Sequence, residues 1–205
     1  MKNDVIINWE YSGKKDFVNG TGAYLEERIL GYVGSLIIPC VLVVLNLNGE
    51  LQWNIYQIVI GVLLGFDLGG GMISNALNSG KRFYHTEAKQ DEGKSGRILK
   101  NHLLFAGIHV QPFVVGLVFN NMDWLYGLLW YLIFMTAAII VHKTPLFLQR
   151  PVSMMMVLLA VLINTFLILP IEGFGWFVPV LFLKIIYGHM VREEPYRKKS
   201  INMIQ

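Results

Sequence analysis

Charge is what this sequence has least of: Asp, Glu, Lys and Arg make up 15% of its 205 residues, where a soluble domain carries about 25%. A chain this short cannot bury 54% hydrophobic residues in a water-soluble core, so the shortage excludes a soluble globular protein and points to lipid. Cysteine is nearly absent. The single Cys40 lies in an apolar run, which excludes a disulfide framework or a thiolate metal site within one chain. No basic stripe interleaved with aromatics is present, so nucleic acid is excluded as a partner. Familiar catalytic motifs are missing too. There is no G-x-S-x-G, no Asp-rich prenyl-diphosphate box and no H-x-x-x-H or H-E-x-x-H, and adjacent carboxylates, as at Glu193–Glu194 in the tail, lie outside the apolar runs.

What the sequence has is hydrophobic length. Crossing about 30 Å of hydrocarbon takes about 20 mainly apolar residues, and six runs qualify: Ile29–Leu47, Trp53–Asn78, Leu99–Phe119, Trp124–Val141, Val152–Leu169 and Phe174–Met190. An all-α integral membrane protein is expected, a bundle of six transmembrane helices. Residues 1–28 form a polar N-terminal segment, an interfacial helix or disordered. Residues 29–190 form the membrane domain with a polar loop at 80–100, and 191–205 a basic tail.

Lysine and arginine orient the bundle, because cytoplasmic loops are enriched in them. Lys2, Lys14, Lys15 and Arg28 precede the first run; Lys81, Arg82, Lys89, Lys94, Arg97 and Lys100 lie in or border the long loop; Lys143 and Arg150 follow the fourth run. Arg192, Arg197, Lys198 and Lys199 follow the sixth. The connections near Gly49, Asn121 and Glu172 carry none. This alternation predicts both termini in the cytoplasm, with the protein in the bacterial cytoplasmic membrane. The net charge of +3 belongs to that topology signal.

The stretch GFDLGGGMISNALNSGKRFYH, residues 65–85, breaks the apolar pattern. At about 100° per residue, Asp67, Asn75, Asn78, Lys81 and His85 fall on one helical stripe. Gly61, Gly65 and Gly69 form a small-xxx-small row on another side, which lets a helix backbone come close and would suit a homodimer. An ionisable residue at membrane depth is costly and usually faces the bundle interior or a watery cavity. The simpler alternative is a protonated Asp67 that merely ties two helices together.

His102 and His109 are seven residues apart on one face of the third run, with Pro112 just beyond. Lys184 lies about two turns inside the sixth run, as a snorkelling cation or as a counter-ion to Asp67. His189 closes that run, and His142 closes the fourth as an interfacial residue. Depth along the helices gathers these groups into a polar cavity between spans two, three and six, open to the cytoplasm. Three functions fit such a cavity. The first is an enzyme acting on a lipid-like amphipathic substrate, with catalysis at Asp67, His109, Asn75 and Asn78. Lys81, Arg82, Lys184 and Arg192 would then hold the headgroup. A divalent metal, zinc or iron, would sit among His85, His102, His109 and His189, with haem the lesser option. The second is a small proton-coupled carrier using Asp67 and His109 as a relay. The third is a non-catalytic assembly or regulatory factor docking through the polar stripe.

Overall fold

The structure, a computed structural model, describes residues 5–198. Residues 1–4 and 199–205, which include Lys2 and Lys199 of the basic flanks, lie outside the described residues. Apolar runs give the long helices α1 (Leu25–Leu47), α2 (Ile55–Ala76), α7 (Trp124–Lys143) and α8 (Leu146–Phe166), and side chains cap the starts of α2 and α7. Asn54 starts α2. Its side chain accepts the N–H groups of Tyr56 and Gln57 at 3.0 and 3.1 Å, and Gln57 reaches back to the Asn54 N–H at 3.1 Å. Asp123 starts α7 by accepting the Tyr126 N–H at 3.1 Å.

The protein is a mostly helical membrane protein, with five helices among the described residues long and apolar enough to span. The third is broken. α4 (Gly93–Lys100), α5 (His102–Gly107) and α6 (Gln111–Phe119) replace the single helix expected over Leu99–Phe119, with Ile108–Val110 non-helical. Pro112 lies in the first turn of α6, where proline's missing N–H costs nothing, whereas Pro39 and Pro151 sit inside unbroken helices. The second polar run is broken as well. α2 stops at Ala76, Leu77 is extended, and a separate short α3 (Asn78–Tyr84) follows. The stripe from Asp67 to His85 therefore does not lie on one helix.

The sixth run is shorter than expected: α9 (Phe177–Phe182) continues as a π-helix over Leu183–His189. Together they span at most about 20 Å at roughly 1.5 Å per residue. Phe177, Val178, Leu181, Phe182, Ile185 and Ile186 are all buried, as are Lys184 and His189, so this helix lies in the core of the bundle with other helices around it. α1 and α8 lie outside it, showing Leu36, Ile37, Leu158 and Phe166 on their outer faces.

The glycine row of α2 packs within the chain. A Cβ at Gly65 would lie 2.7 Å from Ile38 Cγ2, and one at Gly69 would lie 3.3 Å from the Gly34 carbonyl oxygen. At Gly61 the obstacle is the Trp53 ring, at 2.6 Å. α1 and Trp53 thus occupy the face expected to hold a second copy.

No helix precedes α1 among the described residues, which corrects the interfacial-helix expectation. The segment instead carries β1 (Val5–Ile7), which pairs antiparallel with β2 (Tyr196–Lys198) in the register Ile6↔Arg197. It then folds onto α3, where the Ser79 hydroxyl donates to the Asn19 carbonyl at 2.5 Å and the Ser79 N–H to Glu27 at 3.0 Å. The two ends of the described residues thus meet.

Candidate functional site

Asp67 and Lys184 form an ion pair at 2.8 Å inside the helical bundle. Asp67 projects from α2 with half of its side chain exposed; Lys184, on the π-helix, is 5% exposed. The second carboxylate oxygen of Asp67 accepts from Gln111 Nε2 at 3.1 Å, a residue sited by the start of α6. Gly71, one turn beyond Asp67, makes room for the lysine stem: a Cβ there would meet Lys184 Cε at 2.3 Å. One turn further, Asn75 is buried and donates from Nδ2 to the Lys184 carbonyl at 2.9 Å. Two side chains of α2 thus hold both the head and the backbone of Lys184.

A cavity of about 320 Å³ opens beside this pair. Gly31, Tyr32 and Ser35 of α1 form one wall; Leu99 and Phe105 form another; Phe17 and Val18 cover the end near α3. Val18, Tyr32, Phe66 and Asp67 are the exposed lining residues and mark the mouth. The cavity touches spans two, three and six as expected, but α1 and the N-terminal segment also build it. Asn78 is not part of it: its Oδ1 accepts the Tyr196 N–H at 2.9 Å, bracing the C-terminal strand.

The expected headgroup cations divide. Lys81 is buried and donates to the carbonyls of Gly188 and Val191 at 2.6 and 2.9 Å, with Glu193 at 3.6 Å. It tethers the end of the π-helix, and burial pushes its pKa down to about 8 against the opposing pull of Glu193. Arg82 is fully buried, donating to the Tyr196 carbonyl at 3.2 Å, with Glu27 at 4.0 Å. Both moved inward because the break at Leu77 redirects α3. Arg192 is exposed and lies over the Trp9 ring, 4.6 Å from its centroid. Only Lys184 lines the cavity.

Four of the five histidines gather at the end of the bundle that holds the paired termini. The rings of His85 and His102 are 4.7 Å apart, those of His102 and His189 are 4.9 Å apart, and His102 Nδ1 lies 3.1 Å from His189 Nε2. His85, His102 and His142 line a hollow of about 510 Å³; His189 is fully buried. Burial first, and then the neighbouring His102, hold His85 well below its ordinary pKa. His109 does not join them. Its Nδ1 is 2.6 Å from the Phe105 carbonyl, and the Phe105 ring contacts both His109 and His189. Among the described residues no three His, Cys, Asp or Glu side chains form a group able to hold a metal ion, so the four-histidine set expected for zinc or iron is not assembled.

Sequence reasoning passed over Gln111 and Gly71. A glutamine beside Pro112 in an apolar run was the available signal for the first; only the fold reveals the second. It also passed over a network outside the membrane run. The Tyr11 hydroxyl donates to Glu92 at 2.5 Å and accepts from Lys100 at 2.7 Å, and Lys100 pairs with Glu92 at 2.9 Å. The chain matches no family model, no curated protein and no solved structure.

Proposed function

We propose that this chain is a multi-pass membrane enzyme that admits a lipid-like amphipathic molecule sideways into the Asp67–Lys184 cavity. The carrying observation is an ion pair at 2.8 Å whose acid, Asp67, stands at the mouth of a cavity beside the exposed apolar and aromatic side chains of Val18, Tyr32 and Phe66. A soluble substrate has no need of such a mouth; a molecule dissolved in the bilayer does. Asp67, accessible and steadied by Lys184 and Gln111, is the acid–base group. Six crossings with both termini cytoplasmic go with this reading. The β1–β2 pairing supports an even number of crossings, which makes the short α9–π helix the sixth. The lysine and arginine distribution supports the orientation.

The test is consumption of a bilayer lipid by protein in nanodiscs loaded with a total membrane-lipid extract. Mass spectrometry follows every lipid species over time. Wild type depletes one lipid class, while Asp67→Asn, of the same size, leaves it intact. Equal depletion by Asp67→Asn removes Asp67 from the chemistry, and no depletion by wild type overturns the enzyme reading.

Irregular backbone on both sides of the pair, at Ile108–Val110 and along the π-helix, favours a second reading, a proton-coupled carrier. Broken helices at membrane depth are a common feature of transport sites. Proteoliposome acidification abolished by Asp67→Asn, without change to any lipid, would select it.

A further inference from the structure

Building on the lipid-cavity reading, we infer that the Asp67–Lys184 cavity selects a lipid with an uncharged, hydroxyl-bearing head. Charge comes first. Of the residues lining the cavity, only Asp67 and Lys184 are ionisable acids or bases of the Asp, Glu, Lys, Arg or His type, and they neutralise one another at 2.8 Å. A phosphate or carboxylate head would lie against the Asp67 carboxylate with no cation left to compensate it. Like charges held in contact repel, the more so beside a group as buried as Lys184. The cations that a phosphate would require are engaged elsewhere: Lys81 by Gly188, Val191 and Glu193, and Arg82 by Tyr196 and Glu27. An ammonium head meets the converse difficulty, because Lys184 stands beside the only acid.

Hydrogen-bonding capacity comes second. An ammonium has three N–H donors, and the Asp67 contact uses one of those on Lys184. Asp67 accepts from Lys184 and Gln111 and still has lone pairs free. Gln111 Oε1 is buried without a partner. Its amide orientation is fixed, because the flipped form would point oxygen at the carboxylate. The site therefore asks one head to accept a hydrogen bond from Lys184 and to donate one to Asp67. A hydroxyl does both; an ester or ketone carbonyl only accepts; a carboxylate cannot donate. The walls, with Tyr32, Phe66, Leu99 and Phe105, suit the attached chain, and about 320 Å³ is at the small end of ligand sites. Long-chain alcohols and acylglycerols have this chemistry.

Three photoreactive probes with the same hydrocarbon chain decide the matter: an alcohol, a fatty acid and a phosphatidic acid, each in nanodiscs of neutral phospholipid. Labelled peptides are mapped by mass spectrometry. The alcohol is expected to label the cavity walls at Tyr32, Phe66 or Leu99 at least tenfold more than either anionic probe, and unlabelled diacylglycerol is expected to displace it. Asp67→Asn leaves Lys184 as a lone cation without changing side-chain size, so its preference is expected to invert toward the fatty acid. Equal labelling of wild type by the anionic probes overturns the head-group inference while leaving the lipid-cavity reading standing. An unchanged preference in Asp67→Asn overturns it too. Failure of all three probes to label the cavity overturns both.

Discussion

Lys184 and Asp67 differ tenfold in side-chain exposure, 5% against 50%, and that asymmetry sets what each substitution does. Removing one partner of a buried pair leaves an uncompensated charge, at a cost of about 3–5 kcal/mol. Asp67→Leu strands an ammonium that cannot reach solvent, whereas Lys184→Met strands a carboxylate that can take a proton or water through the cavity. The expected order in thermal unfolding in nanodiscs is Asp67→Leu least stable, Lys184→Met intermediate, and the double variant better than Asp67→Leu alone. Additive losses in the double variant would mean that the pair is not coupled. His85 makes a second prediction at this scale. Its pKa is depressed in the fold, so below its unfolded value of about 6.5 the unfolded chain takes up the proton first. Stability is therefore full above about pH 6.5 and falls as pH drops below it, and His85→Gln should flatten that part of the pH–melting curve. Asp67 and Asn75 were legible in the sequence because a polar residue in an apolar run has few alternatives to facing inward. Asn78 and Lys81 were assigned to the same stripe by assuming one unbroken helix, and the extended Leu77 turned them, with Arg82, toward the C-terminal segment instead.

At the scale of elements, the seam between α1 and α2 is tight enough for single methyl groups to matter. A Cβ at Gly70 would lie 2.6 Å from Ser35 Cβ and 3.3 Å from its Cα, and one at Gly34 would lie 2.5 Å from Ile73 Cγ1. Overpacking of this kind costs about 1–3 kcal/mol, and here the obstacle at Gly70 includes backbone. Gly70→Val should lower the melting temperature and the yield of folded protein, while Leu63→Ala on the exposed face should leave both unchanged. A Gly70→Val protein as stable as wild type would mean that α1 does not pack there. Small residues every four positions made the close approach legible, but that spacing states only that a backbone comes near. It cannot distinguish α1 from a second copy. The breaks were illegible for a related reason. Proline at 39, 112 and 151 looks alike in sequence, yet only Pro112 begins a helix after a break, where the Tyr131 hydroxyl of α7 donates to the Gly107 carbonyl at 2.8 Å.

For the whole molecule, two independent features support the proposed topology. Basic residues alternate between connections along the sequence, and the ends of the chain meet as β1 and β2. The first speaks of sides through the positive-inside bias; the second speaks of parity, since ends that pair require an even number of crossings. Five long helices alone would place the ends on opposite faces. On the six-crossing reading proposed above, the α9–π helix crosses as well, short as it is. Reporter fusions at Gly49, Asn121 and Gly173 are expected outside, and those at Gly93 and the C-terminus inside. Parity has a sharper test in the strand register, where Ile6 faces Arg197. With Cys40 replaced by Ala, an Ile6→Cys, Arg197→Cys chain should form an intramolecular disulfide rapidly under mild oxidation in native membranes. Ile6→Cys paired with Glu50→Cys, a position in the connection after α1, should not. A five-crossing protein would hold residues 6 and 197 a bilayer apart, and no oxidant could join them.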